Sequence, residues 1–511
     1  TDRGGGRGKF TTNRPAGKQN RGDAGLTAVS IIREENALPG ARTWLLDEAR
    51  VDPDAPLRCT WIEGYVSASS VAAGEQISFH VSTAAPSPFR IELYRMGYYG
   101  GDGGRRVATL GPFEGRRLEV PPATPTGRRD CEWPPCATLT VPAEWTSGVY
   151  LGKLISERHQ AQSYLVFVVR DHRPCDLLLQ CSDATWCAYN RWPARGSLYD
   201  NGEEEWSYAP GIEASFDRPF GKYCQIVDAP LSTGSGEWFL WEFPVAYWLE
   251  GQGYDVSYVS NLDLHARPET LARARAYLSV GHDEYYSLPM YHNLREGVER
   301  GLSVAFLSSN VCCGLVDFLP AADGRSHRAI RRLDRFGPRD ARGDEVFPSM
   351  RDLERSSPNE AELIGARSTG PILGAAPWTC RDPGHWLFAG TAMRQGEEIP
   401  GLVGWEWHGQ PAGIPGLEVV AAGETTSIAG SGSYAATLYP GPRGNLVFNA
   451  STCWWGDGLS SPPGYVRPAA FGLAPQGPDP RVQRITANLL ERMLDSGSCG
   501  GIAEQGLSGQ K

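Results

Sequence analysis

The sequence predicts two folds in one chain: an antiparallel β-sandwich, followed by a doubly wound α/β domain. Three observations predict them. Between Cys59 and Arg170 short alternating runs recur without helices, among them Gln76-Ile-Ser-Phe-His-Val-Ser82 and Arg90-Ile-Glu-Leu-Tyr-Arg95. Beyond Arg170 compact apolar runs alternate with helical stretches, the pattern of βαβ units and a parallel sheet. Within that second stretch, Ala276-Tyr-Leu-Ser-Val-Gly281 reads as a buried strand and Ser303-Val-Ala-Phe-Leu-Ser308 as the next parallel one.

In chain order, residues 1–26 are rich in Gly, Arg, Asn and Lys and predict a flexible tail. Residues 27–170 form the sandwich domain, with Thr27 to Asp47 as its connecting segment. Gly100-Gly-Asp-Gly-Gly104 and Pro121-Pro-Ala-Thr-Pro-Thr126 supply turns, and runs at Gly148–Ile155 and Ser163–Val169 complete the strands. His80 reads as an ordinary strand residue. Residues 171–511 form the α/β domain. Its strands are expected at Asp176–Gln180 and Tyr254–Ser260, with helices at Trp238–Leu249 and around Pro268–Ala276. After Gly281, Ser287 caps a helix whose first turn takes Pro289; Met290, Leu294 and Val298 line one face, and Gly301 ends it. Residues 320–355 are crowded with Arg and Asp and predict a charged surface insertion. Gly416–Glu424, Thr437–Tyr439 and Gly444–Ala450 read as strands and Arg481–Leu494 as a terminal helix.

The 511 residues carry a net charge of −10, so no basic footprint points to nucleic acid. No run approaches the roughly 18 apolar residues of a membrane span. Cys131-Glu-Trp-Pro-Pro-Cys136 places two of the 12 Cys across a Pro-rich turn, which predicts a disulfide. With a start at Thr1 and no signal-peptide core the chain reads as a processed or trimmed product, and together with its 12 Cys this points to export, secreted or of the cell envelope; the alternative is a cytosolic protein with reduced, buried thiols.

Open α/β sheets bind ligands at the carboxyl ends of their strands. His282, Asp283, Glu284, Tyr285 and Tyr286 lie at such an end. A tyrosine there can bind a hard cation as phenolate; Tyr285 can equally pack as an ordinary aromatic. His282 is a candidate base or ligand and Glu284 an acid–base candidate. The next strand end carries Cys312 and Cys313, either buried thiols or, if a helix N-terminus follows, a thiolate nucleophile. Glu406 stands between two Trp in Gly401-Leu-Val-Gly-Trp-Glu-Trp-His408. Buried, it needs a partner or a metal, or becomes a general acid; on an edge strand it would face water. If the strand alternates, His408 shares its side. There is no GxSxG, HExxH, Walker A or GxGxxG motif.

Several long motifs resemble the large-subunit family of N,N-dimethylformamidase. They are Ile62-Glu-Gly-Tyr65, Phe79-His-Val-Ser-Thr83, Tyr94-Arg-Met-Gly-Tyr-Tyr-Gly-Gly101, Thr185-Trp-Cys-Ala-Tyr-Asn190, Ser197-Leu-Tyr199, Ser215-Phe-Asp-Arg-Pro219, Gly281-His-Asp-Glu-Tyr285 and Gly401-Leu-Val-Gly-Trp-Glu406. The resemblance implies an α/β half similar to class I glutamine-amidotransferase-like folds. It also implies an amidase with one iron held by two tyrosines and a glutamate, and a small partner subunit. Tyr285 matches the first tyrosine and Glu406 the glutamate. Cys313 stands at the second tyrosine, or Cys312 if the placement shifts by one, and Gly404 stands where the family has a catalytic histidine.

The resulting expectation is an exported metal-dependent hydrolase of a small amide or related C–N bond. One transition-metal ion, iron before copper, is held by Tyr285, Cys313 and Glu406; His282, Glu284, Cys312 and His408 are catalytic candidates. The rivals are an iron or copper oxidoreductase with a Tyr285–Cys313 site, thioether crosslink included; a metal-free cysteine hydrolase pairing Cys312 or Cys313 with His282; and a carbohydrate- or surface-binding protein with a decayed site. Partners are a small-molecule substrate and either a second copy or a small subunit.

Overall fold

The computed structural model describes residues 30–50, 52–204, 206–221, 233–337, 358–427, 430–467 and 477–496. The predicted tail and the second half of the charged insertion lie outside them. A short helix, Ile31–Asn36, stands where a plain connecting segment was expected.

The alternating runs of the first half build two facing sheets. One holds Ile62–Val66, Gln76–Thr83 and Ala137–Thr140. The other runs Ser70–Ala72, Ala161–Arg170, Gly148–Ser156, Ser87–Met96 and Gly104–Gly115 in spatial order. All pairs are antiparallel except Ser70–Ala72 against Ala161–Arg170. Ile62, Ile77, Phe79, Ile91, Leu93, Leu154, Leu165 and Phe167 fill the space between the sheets.

The second half is organised on a nine-stranded sheet. Its order is Val256–Ser260, Cys175–Cys181, Ala274–His282, Ser303–Ser309, Leu446–Asn449, Gly430–Pro440, Glu418–Ser427, Ala366–Thr379 and Glu398–Pro411. The first five strands are parallel; from Leu446–Asn449 onward the pairing is antiparallel. The expected parallel βαβαβ series is therefore present, and four further strands extend it in antiparallel fashion. The reason is local: two residues separate Glu418–Ser427 from Gly430–Pro440, so these strands can only form a hairpin, whereas parallel strands need a long crossover.

The central unit forms as its caps dictate. Ser287 Oγ accepts from Met290 N, the helix spans Leu288–Arg300, and Gly301 ends it with φ 110°. Met290, Leu294 and Val298 are buried beneath the sheet. The aromatic helix begins later than expected, at Glu242, and runs to Gln252. The Pro268 segment is a 3-10 turn, Pro268–Arg273.

Two expectations are corrected. The charged run lies on the surface as a turn over residues 320–327, but it does not stay there. Ala329–Arg335 is a strand in a small sheet ordered Glu213–Ser215, Ala329–Arg335, Gly314–Leu319, Tyr285–Tyr286; Arg332 within it and Arg328 just before it are buried. Its alternation, with Ile330 entering an apolar cluster, outweighs its charge. Cys131 and Cys136 are free thiols. Different partners hold them apart: Cys131 N–H donates to Asp217 O and its carbonyl accepts from Tyr65, whereas Cys136 N–H donates to Phe79 O. The disulfide basis for export goes with them.

One apolar core joins the two halves. Trp44, Tyr94, Met96 and Tyr164 of the first pack with Leu177, Leu179, Phe239 and Phe243 of the second. A fully buried ion pair, Arg95–Glu250 at 2.9 Å, crosses the same junction. Among the described residues no helix is long and apolar enough to cross a membrane.

Candidate active site at the carboxyl edge of the sheet

The parallel strands Ala274–His282 and Ser303–Ser309 are in register, with His282 opposite Ser309. Both therefore end at one edge, as their sequence order requires. Gly281 turns the first strand end at φ 66°, and a Cβ there would come within 2.3 Å of Trp241 Cβ. Only glycine suits both the angle and the contact. His282 emerges with its ring against Trp241 and Tyr189.

His282 Nε2 contacts a carboxylate oxygen of Glu406, lies 3.5 Å from Glu284 Oε2 and 3.5 Å from Asn310 Nδ2. All four residues are buried. Burial opposes charge on the imidazole, but Glu406 outweighs it and raises the His282 pKa to about 9. Burial, and then the neighbouring Glu406, raise that of Glu284.

Glu284 is also the end of a phenolic hydrogen-bond chain. Arg332 donates to Tyr285 OH at 2.7 Å, Tyr285 donates to Tyr199 OH at 2.6 Å, and Tyr199 reaches Glu284 Oε1 at 3.0 Å. Tyr189 donates to Glu284 Oε2 at 2.5 Å. The backbone N–H of Glu284 donates to Thr185 Oγ1, which ties this loop to the helix Asp183–Tyr189. Burial pushes the pKa values of Tyr189, Tyr199 and Tyr285 well above the ordinary phenol value. A cavity of about 10 Å³ adjoins the Tyr189 and Tyr199 rings and is bounded by Arg191, Ser197 and Trp206. That is room for about one water molecule.

The expected residues are placed as follows. Tyr285 pairs with Gly314, whose missing Cβ makes room for the tyrosine ring. Cys313 precedes that glycine, and its thiol feels the charges of Glu284 and Glu406. Burial pushes the Cys313 thiol up to about 12, and that of Cys312 well above its ordinary value. Cys312 packs in the apolar cluster with Tyr286 and Met290. A strand, Gly314–Leu319, follows the two cysteines rather than a helix, so the helix terminus that would favour a thiolate is missing. His408 is fixed at both ring nitrogens: Nδ1 bonds Asn449 Oδ1 at 2.7 Å, and Nε2 accepts from Val311 N at 3.2 Å. Burial lowers its pKa to about 4. It is a neutral support for the loop after Ser309.

The metal expected from the resemblance needs Tyr285, Cys313 and Glu406 to turn donor atoms toward one point. As arranged they do not fit it. Tyr285 OH is engaged by Tyr199 and by a guanidinium, and Glu406 faces His282.

Residue-by-residue reasoning missed Tyr189, Tyr199, Tyr208, Asn310, Arg332 and Cys453. Tyr189 and Tyr199 lay inside motifs that carried the resemblance, a signal that was present. Asn310 sits at φ 55°, and its Oδ1 is buried without a hydrogen-bond partner. Cys453 lies beside the backbone of Ser309 and Glu406. Arg332 was hidden in a charge run, with only the strand-like alternation around it as a signal.

A family model described as "N,N-dimethylformamidase beta subunit-like, C-terminal" matches residues 90–467. No curated protein matches the chain. Among solved structures, an alkylpurine DNA glycosylase from Pseudomonas fluorescens, bound to DNA containing an abasic site analog, is 13% identical with a TM-score of 0.14; the match covers 22% of this chain and 31% of that one. A Faecalibacterium prausnitzii beta-glucuronidase is 10% identical with a TM-score of 0.13, over 47% of this chain and 42% of that one. The chain thus spans less than half the length of either, and neither likeness carries a conclusion about fold or chemistry.

Proposed function

The chain belongs to the N,N-dimethylformamidase beta subunit-like family, and we propose that it is a hydrolase of small amides working by acid–base chemistry at the His282 cluster. The observation that carries this reading is the position of His282 at a strand end, between Glu406 and Glu284. Two carboxylates and an imidazole within contact can move two protons in one turnover.

In the proposed reaction a water molecule attacks the amide carbonyl and gives a proton to Glu284 or Glu406. His282 protonates the leaving nitrogen. The carboxylate then returns its proton to His282, and acid and amine leave. The hydroxyls of Tyr189 and Tyr199 are donors of the type that stabilises a developing oxyanion. The enclosed setting suits a small substrate, admitted by movement of the side chains around the cavity. Since the expected ligands do not form a set, no step passes through a metal. The five parallel strands support a glutamine-amidotransferase-like relationship.

Amine release from N-alkyl formamides and acetamides by the purified chain tests the proposal. Hydrolysis that Glu406→Gln removes from a folded protein supports it. A folded wild-type chain that turns over no amide of the series, with and without candidate small subunits, rejects it.

A further inference from the structure

We propose that a buried guanidinium, Arg332, supplies the fixed positive charge at the tyrosine end of this site, where the family resemblance would place a metal ion. The inference rests on the hydrolase reading for what the site does. Its own basis is the donor arrangement around Tyr285.

Arg332 is 2% exposed. It donates to Tyr285 OH at 2.7 Å and, through its other terminal nitrogen, to Ser207 O at 3.1 Å. Its guanidinium carbon lies 4.5 Å from the ring centre of Tyr199, 5.3 Å from that of Tyr208 and 5.8 Å from that of Tyr285. The rings of Tyr199 and Tyr208 and the phenol oxygen of Tyr285 thus surround one cation, a setting that holds a desolvated guanidinium firmly. Burial disfavours its charge, yet the phenols and Glu284 around it outweigh that cost.

A trivalent ion at Tyr285 would add three positive charges where one is fixed, and a guanidinium cannot be neutralised by losing a proton. The cysteine at the expected second tyrosine removes one hard oxygen ligand as well, leaving a donor that suits softer ions. Arg332 touches no reacting atom, and its role is positioning. It holds Tyr285 so that the phenol donates to Tyr199, and the chain of hydrogen bonds ends on Glu284.

The test is elemental analysis of the full-length protein from iron- and copper-supplemented growth, followed by ferric titration monitored in the visible range. Trace metal only, and no phenolate-to-iron band, are expected. Arg332→Met should lower the melting temperature and Arg332→Lys should recover part of the loss. A full equivalent of bound metal in the wild type that Tyr285→Phe abolishes would overturn the proposal, as would an Arg332→Met variant as stable as wild type. If Arg332→Met does not fold, the wild-type metal content and Arg332→Lys decide. These readouts use no substrate, so they stand or fall separately from the amidase assay.

Discussion

Tyr285 donates from its hydroxyl to that of Tyr199 at 2.6 Å, across 86 residues of sequence. The contact joins the end of the central strand to the loop after Asp183–Tyr189 and makes Tyr285 a relay between Arg332 and Glu284. A tyrosine expected to face a metal is instead saturated by protein.

Tyr285→Phe should therefore cost stability. The ring still packs against Gly314, but Arg332 loses a buried acceptor and Tyr199 a donor. A loss of about 1–3 kcal/mol in urea unfolding is expected, the usual cost of an unsatisfied buried polar group. An unchanged midpoint would mean that Arg332 finds another acceptor at no cost.

Glu406→Gln removes the charge beside His282. Amide turnover should fall by about 10²–10⁴-fold, the range of a lost acid–base group. Circular dichroism should show the fold retained. Wild-type rates in this variant would take Glu406 out of the proton path.

Replacing Cys312 or Cys313 by Ser should leave turnover within a few-fold of wild type, since both thiols are buried and their pKa values raised. Neither should react with iodoacetamide in the native protein. Rapid alkylation of Cys313 that parallels inactivation would restore the cysteine-hydrolase alternative.

Asp183 offers a pH test away from the active site. Burial raises its pKa from 3.8 to about 7, with Ser69 and Asn261 opposing and Asp263 adding to the rise. Asp183 borders a second cavity, of about 30 Å³, that Arg218 and Arg328 also line. The folded state thus keeps a proton that the unfolded state releases, so this group's stabilisation is full below pH 3.8 and is lost as pH rises to about 7. At about 1.4 kcal/mol per pH unit the effect is bounded near 4 kcal/mol. Asp183→Asn should raise the melting temperature at pH 8 and lose that advantage toward pH 4. An equal offset at both pH values would exclude the titration of Asp183 as its source.

Much of the fold was legible in the sequence. Gln76–Thr83, Cys175–Cys181 and Ser303–Ser309 fell where apolar patterning placed them, and Ser287 and Gly301 closed the central helix as caps. These are local consequences of side-chain period and backbone angle. The antiparallel half of the large sheet was not legible, because strand-like patterning does not say which neighbour a strand pairs with. The burial of Ala329–Arg335 was missed for a related reason: a run of arginines looks solvated until the phenols and carboxylates that neutralise it are known.

The same division holds at the site. The sequence by itself determined that His282, Glu284, Tyr285, Cys312 and Cys313 lie at adjoining parallel strand ends, since chain order and right-handed crossovers leave them no other edge. Tertiary structure alone decided their partners. Glu406 meets His282 and not Tyr285, His408 is consumed by Asn449 and Val311, and Tyr285 is taken by Tyr199 and Arg332. Hydrogen bonds and ion pairs act over a few ångströms between atoms that can be hundreds of residues apart, and no spacing in the sequence encodes those distances.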